Sequence, residues 1–332
     1  MLLRVLVVIK FFGPTTKDTK VHEGKHNVAE FLLKLPATSA NLGPAFDAAA
    51  LALDLSLRVQ ATKARSHSIV ASGRDIDICG DARNHLILET YEGVLAAESK
   101  SVVPLALKIQ NGFPIGKGLG SSAAARLAGI ALAVHFGRLR WNSERIIAEA
   151  SQREHHPDNA AACWMGGVAV AGISSNGDAH LAHFVPKGKW PLLLAIPEEA
   201  LSTEKAREVL PQQYSRADAV SNIQNSMLLL GALFQDDKTL LASVLEDRIH
   251  QPYRAQLCPL LPLMKAFPPS NGVLGTVLSG AGPSVLMFLD TKQNMERTKA
   301  RVAKYLKERG MNAELLLTAI AKRGAEASFF RR

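Results

Sequence analysis

The densest cluster of residues able to do chemistry is Pro114-Ile115-Gly116-Lys117-Gly118-Leu119-Gly120-Ser121-Ser122-Ala123-Ala124. Gly116, Gly118 and Gly120 alternate, so backbone N–H groups can approach an anion with no Cβ in the way. A helical pattern begins directly after them, with Ala123, Leu127, Ile130, Ala131 and Val134 on one face. The first turn of such a helix adds unpaired amides and the positive end of its dipole. Together these features predict a phosphate cradle. Ser121 and Ser122 can cap the helix start or offer hydroxyls to a phosphate oxygen or a Mg2+ ion. No Gly-Lys-Ser/Thr closes the loop, which excludes a P-loop, and the spacing is not the Gly-x-Gly-x-x-Gly of dinucleotide folds. Alone, the glycines would serve a structural turn equally well. Two further small-residue segments, LPATSANLGPAFD at 35–47 and SGAGPSV at 279–285, could line the same site.

These segments need elements to position them. Leu53, Leu55, Leu57 and Val59 alternate within the apolar run 48–61, which predicts a half-buried strand. Strands are also expected at 31–37, 102–110, 166–173, 190–196, 273–279, 285–289 and 313–318. Beyond the helix that opens at Ser121, helices are expected over 143–155, 200–210, 217–235, 238–250 and 291–309. Ser143 would cap the first of these and Pro157 would stop it. In 291–309, Met295, Thr298, Val302 and Leu306 share one face, and Gly310 ends the helix. Strands and helices interleave without regular alternation. The class is α+β in two lobes, with a boundary near 186–189. Residues 13–30 are polar and turn-rich and read as a linker, so 1–30 forms an N-terminal extension, 31–187 a first domain and 188–332 a second.

Composition narrows the function classes. The chain has 332 residues, 47% hydrophobic and 21% charged, which excludes a disordered or collagen-like chain. Its formal net charge of +9 favours anionic partners. The basic residues are scattered, with no basic-aromatic stripe, so no nucleic-acid partner is expected. Cys79, Cys163 and Cys258 form no C-x-x-C pair, and buried thiols in a reducing compartment are expected. Arg4 and Lys10 interrupt the apolar start MLLRVLVVIKFF, which is far short of the ~20 residues of a membrane span. It reads as a short strand or an extension rather than a signal peptide, and a cytoplasmic protein with no membrane partner is expected.

The three small-residue segments resemble, in order and separation, the three motifs of the GHMP small-molecule kinases. Four stretches resemble the homoserine kinases of that family: PATSANLGPAFD at 36–47, HPDN at 156–159, STEKAREVLP at 202–211 and HQPYR at 250–254. The resemblance covers roughly 34–330. It implies a two-lobed fold, with an N-terminal mixed β/α nucleotide-binding lobe and a C-terminal ferredoxin-like α/β lobe. It implies phosphorylation of the side-chain hydroxyl of L-homoserine by ATP with Mg2+, a step of threonine synthesis, in a homodimer.

Site residues follow from the same resemblance. Residues 114–124 would wrap the triphosphate, Asn84 would lie beside adenine, and Ser122 with Glu154 would hold Mg2+, Glu149 being the fallback carboxylate. L-Homoserine is a zwitterion, so its carboxylate would meet Arg207 and Arg254 and its ammonium Asp158. Asn41 and Asp47 would orient its hydroxyl and amino groups. Thr203, four residues before Arg207, would approach the transferred phosphoryl group. Some related kinases place an aspartate base where this chain has Asn159, which accepts no proton at neutral pH. Direct attack by the substrate hydroxyl is therefore expected, with Asp47 as base the competing idea. His156 reads as structural.

The first motif carries Ala45 and Ala50 where the family has glycine. At a position needing φ > 0, alanine would cost on the order of 1 kcal/mol. Other readings are a kinase for another small alcohol such as L-threonine, and a non-catalytic ligand-binding relative. Intact Ser122, Glu154 and glycines argue against the latter.

Overall fold

The computed structural model describes residues 31–83 and 85–330. The expected extension over 1–30 and the adenine-side Asn84 lie outside them.

One long strand organises the first lobe. β2 (Ala45–Lys63) pairs antiparallel with β1 (Phe31–Asn41), and further strands flank it: β3 (Ser68–Gly73), β4 (Leu105–Asn111), β5 (Val168–Ile173) and β6 (Ala179–Phe184). The order is β3-β4-β2-β5-β6, with β1 attached to β2. Among the described residues only the β3–β4 pair is parallel. The period-two alternation is real but local. Leu57, Val59 and Ala61 are buried, whereas Ala49–Leu53 is buried on both faces, because helices cover that stretch.

The covering layer is helical: α1 (Ile76–Gly80), α2 (Leu86–Ala97), α3 (Ser121–Phe136), α4 (Ser143–Glu154) and α5 (Asp158–Met165). α3 is buried almost all round, including Ala124, Leu127, Ala128, Ile130 and Ala131. Such a helix belongs inside a core rather than on a surface. It touches α2, α4, α5 and β1.

Several local expectations need correction. Asn142, not Ser143, caps α4 by accepting from the Arg145 amide at 3.0 Å. Ser143 instead accepts from Nε1 of the buried Trp164 at 2.8 Å, satisfying the one polar atom of that indole. α4 stops before Pro157, with His155 in the left-handed region. Pro157 then opens α5, so the proline both ends one helix and starts another.

The second lobe is a four-stranded antiparallel sheet of β7 (Pro191–Ile196), β8 (Val273–Leu278), β9 (Val285–Leu289) and β10 (Glu314–Ala319), in the order β10-β7-β9-β8. That is the ferredoxin-like arrangement. Between β7 and β8 come α6 (Thr203–Glu208), α7 (Arg216–Gln235), α8 (Lys238–Ser243), α9 (Gln251–Arg254) and α10 (Leu260–Lys265), and α11 (Met295–Lys307) joins β9 to β10. The helix expected over 238–250 breaks after Ser243. The Asp247 carboxylate takes the amides of Ile249, His250 and Gln251 at 2.9, 3.0 and 2.6 Å, competing with helical bonding and opening α9. On α11 the face is Thr298, Val302 and Leu306, while Met295 is exposed. The last element, α12 (Glu326–Phe329), returns to the first lobe, where Phe329 packs on Trp164.

Candidate active site

The three small-residue segments meet. The Thr38 amide donates to the Leu119 carbonyl at 3.0 Å, and the Gly280 amide to Ala40 at 3.1 Å. Ser279 Oγ donates to the Gly118 carbonyl at 2.8 Å. Gly118 and Gly120 have φ of +73° and +69°. An added Cβ would lie 2.3 Å from the Ser279 carbonyl oxygen or 1.9 Å from Thr38 Oγ1, respectively. Left-handed backbone and close approach both demand glycine here.

Gly120 occupies the N-cap position of α3, with no side chain capping the helix. Ser121 and Ser122 therefore lie inside the first turn rather than capping it. Ser121 Oγ accepts from the Gly116 amide at 3.4 Å, holding the loop in a curl. The first-turn amides face away from any helical acceptor, which makes an anion site.

A cavity of about 720 Å3 opens between the lobes in front of this loop. Ile115, Gly116, Gly118, Gly120, Ser121 and Ser122 form one side. Asn41, Asp47, Glu154, Asp158, Asn159, Thr203, Arg207 and Arg254 line the same cavity. The remaining loop residues do not reach it with their side chains. Pro114, Leu119, Ala123 and Ala124 are buried, and the Ala124 amide is spent on the Gly120 carbonyl at 3.0 Å. Lys117 sends its ammonium to the Glu198 carbonyl in the second lobe. Pro114, Leu119, Ala123 and Ala124 could offer a ligand only backbone groups.

The polar end is densely bonded. Arg207 on α6 holds both Asp47 oxygens, Nη1 to Oδ2 at 2.9 Å and Nη2 to Oδ1 at 2.7 Å. Asp47 sits at φ +53°, a kink that turns its side chain toward Arg207. Its amide donates to Asn41 Oδ1 at 2.9 Å, and Asn41 Nδ2 donates to the Gly280 carbonyl at 2.8 Å. Asn41 thus ties the first segment to the third and keeps one N–H and one lone pair spare. Thr203 and Arg207 share α6, as their spacing predicts.

Arg254 is 1% exposed. Its Nε donates to the Ala206 carbonyl at 2.8 Å, and Nη1 reaches His250 Nδ1 at 3.2 Å and the Gly280 carbonyl at 3.3 Å, leaving Nη2 for a ligand. Burial first, then the positive charge of Arg207, lower its pKa to about 10, so it stays charged at neutral pH. Burial also drives the His250 pKa well below the ordinary value, outweighing the opposite pull of Asp247. Neutral His250 donates from Nε2 to the Gly43 carbonyl at 2.8 Å and accepts at Nδ1, which assigns its tautomer.

Asp158 accepts from the Asn159 amide at 2.6 Å and from His156 Nδ1 at 2.9 Å. For His156, burial acts downward, but the hydrogen bond and charge of Asp158, with Asp47 and Glu154 behind it, outweigh burial and raise the pKa. Asn159 Oδ1 accepts from Thr38 Oγ1 at 2.5 Å. Glu154 Oε1 accepts from Ser122 Oγ at 2.5 Å and Arg126 Nε at 2.6 Å. The fallback Glu149 is committed to Arg153 and Arg145 on its own helix.

Sequence reasoning missed the apolar wall of the cavity, including Leu57, Ile78, Leu86, Ile87, Ile109 and Phe113. In sequence these are ordinary strand and helix residues, though Ile78, 60% exposed, is an apolar side chain left uncovered. Ala45 and Ala50 carry none of the expected strain. Both are buried strand residues, and the left-handed positions of this segment are Asn41, Leu42, Gly43 and Asp47.

Residues 85–167 match the GHMP kinases N terminal domain and residues 229–308 the GHMP kinases C terminal domain. A homoserine kinase of Solibacter usitatus (strain Ellin6076) is 39% identical over 89% of this chain and 96% of its own length. The chain belongs to the homoserine kinase family. A second member, from Desulfitobacterium hafniense, is 34% identical over 88% of this chain and 98% of its own. The crystal structure of homoserine kinase from Cytophaga hutchinsonii shares the fold, with a TM-score of 0.75 at 22% identity over 88% of this chain and 95% of that one. In the homoserine kinase family ATP is the phosphoryl donor, and the glycine loop of this chain lines the cavity.

Proposed function

We propose that this chain transfers the γ-phosphoryl group of ATP to the side-chain hydroxyl of L-homoserine. One observation carries the reading: the glycine loop and the Asp158, Arg207 and Arg254 side chains line a single cavity. The loop and α3 amides bind the phosphates. The apolar wall from Leu57 to Phe113 takes the adenine. Arg254 Nη2 and the outer edge of Arg207 take the acceptor's carboxylate, Asp158 takes its ammonium, and Asn41 and Asp47 steer its chain. Thr203, at the start of α6, approaches the transferred group.

The substrate hydroxyl oxygen attacks the γ-phosphorus, the bond to the bridging oxygen breaks, and ADP leaves. Phosphoryl transfer of this kind asks for positioning and charge stabilisation rather than covalent work. The hydroxyl proton passes to a phosphoryl oxygen. Asn159 accepts no proton, and both oxygens of Asp47 already accept from Arg207.

Ser122 and Glu154 fit Mg2+, a hard cation satisfied by few protein oxygens when phosphates and water supply the rest. The two side chains touch, and Glu154 Oε2 holds no partner among the described residues. When bound, the ion would neutralise charge on the nucleotide's phosphates.

Three buried free cysteines support a reducing, cytoplasmic compartment. No helix among the described residues is long and apolar enough to cross a membrane. The proposal includes two working units, 31–187 and 188–332, and a homodimer, which light scattering would test. The decisive experiment is a coupled assay for ADP release with L-homoserine, L-threonine and L-serine. Turnover with L-homoserine at the highest kcat/KM is expected. Preference for L-threonine would replace the acceptor, and no turnover with any alcohol would favour a ligand-binding role.

A further inference from the structure

Phe46 lies directly before Asp47 in the first segment and does not line the cavity. Its ring stands behind the polar end, against three groups at once. The Arg254 guanidinium carbon lies 5.2 Å from the ring centroid and that of Arg207 5.5 Å. The His250 ring stacks on it at 5.2 Å and 25°. Both guanidiniums are within cation–π range of one aromatic face system.

Two guanidiniums packed on one ring repel, and the basicity of Arg254, lowered first by burial, is lowered further by the charge of Arg207. A carboxylate bound between them would relieve the repulsion. Before it arrives, something else must hold them together. Asp47 fixes Arg207 through both oxygens, and His250 with two carbonyls fixes Arg254. The Phe46 ring packs against Arg207, Arg254 and His250 alike.

We propose that Phe46 is the positioning residue of the two-arginine clamp, holding both guanidiniums ready for a carboxylate and so setting the preference for acceptors that carry one. The inference rests on the reading of this site as the homoserine site. Phe46 does not line the cavity, so its effect is expected through the arginines and the carboxylate they hold.

The test uses the full chain with Phe46→Leu and Phe46→Tyr, and Phe46→Met should Phe46→Leu fail to fold. Three quantities are read: the KM for L-homoserine and for ATP with kcat, and inhibition constants for two probes. L-2-Aminobutyrate keeps the carboxylate and lacks the hydroxyl. 3-Amino-1-propanol keeps the ammonium and hydroxyl and lacks the carboxylate. Loss of two cation–π contacts should raise the L-homoserine KM and the L-2-aminobutyrate constant by about tenfold or more. The kcat, the ATP KM and the 3-amino-1-propanol constant should stay within about threefold, and Phe46→Tyr should restore the L-homoserine KM. An unchanged L-homoserine KM, an equal loss for both probes, or a Tyr variant as impaired as Leu would overturn the inference. Failure of the wild-type protein to turn over L-homoserine would instead overturn the reading beneath it, and that is visible before any variant is made.

Discussion

Arg207 reaches from α6 across the cavity to hold both carboxylate oxygens of Asp47, at 2.7 and 2.9 Å, joining residues 160 positions apart. The fork-to-fork geometry fixes Asp47 as well as Arg207. On the proposed reading a carboxylate committed in this way orients the acceptor rather than serving as base. Asp47→Asn keeps the shape and removes the charge. It should raise the L-homoserine KM by about tenfold or more while kcat stays within about threefold. Steady-state kinetics with both substrates varied decides the matter. Lost turnover at unchanged KM would make Asp47 the base.

The glycine loop makes a sharper geometric prediction. Gly120→Ala places a Cβ 1.9 Å from Thr38 Oγ1 and 3.1 Å from Asn159 Oδ1. An alanine at φ > 0 costs roughly 1 kcal/mol on its own. The clash must in addition displace Thr38 and break its 2.5 Å bond to Asn159. Urea denaturation should show a loss of about 2 kcal/mol or more, with kcat/KM for ATP falling as the loop shifts. If the clash is the cause, Thr38→Ala should absorb part of the damage, so the double variant is less destabilised than the sum of the singles. Additive losses would place the strain elsewhere.

What the sequence made legible follows from how local each signal is. The run from Gly116 to Val134 declares a loop and a helix because glycine spacing and apolar periodicity act within a few residues. The strand at 48–61 declares itself the same way. The end of α8 does not, because it depends on Asp247 capturing three amides downstream. Arg207 and Arg254 were found through motif likeness, but nothing in their spacing says that one grips Asp47 and the other is fully buried. Phe46 and His250 sit inside the quoted stretches, yet their stacking needs α9 folded back on the first segment, which only tertiary structure supplies. The apolar wall of the cavity is not legible for a related reason. Leu57, Ile109 and Phe113 look like any core residues until the cavity in front of them is seen.

His250 supplies a pH test. Burial holds its pKa in the folded protein below the ~6.5 of a free histidine. Below that pH the unfolded chain takes up a proton that the folded one does not. Stability from this site is therefore complete above pH ~6.5 and declines as pH falls toward the folded value, at a limiting slope of about 1.4 kcal/mol per pH unit. His250→Gln removes the titration. Urea unfolding of wild type should steepen between pH ~6.5 and ~4.5 relative to the variant. Parallel curves would mean that His250 takes up its proton in the fold as readily as in the unfolded chain. In that case Nδ1 would no longer accept from Arg254.

The metal assignment can be tested through the two partners of one oxygen. Glu154 Oε1 accepts from both Ser122 and Arg126. Ser122→Ala removes one proposed Mg2+ contact and leaves the Arg126 ion pair whole. It should raise the Mg2+ concentration for half-maximal activity severalfold, and the urea midpoint should hold. Glu154→Gln removes the carboxylate and strands the Arg126 guanidinium, whose side chain is only 23% exposed. That variant should need still more Mg2+ and should also lose about 1–3 kcal/mol of stability. Adding Arg126→Met to Glu154→Gln should recover stability without recovering Mg2+ affinity, because the stranded charge is gone and the missing ligand is not. If the Mg2+ requirement of all three variants equals that of the wild type, the ion is held by the nucleotide and other groups, and Glu154 serves Arg126 alone.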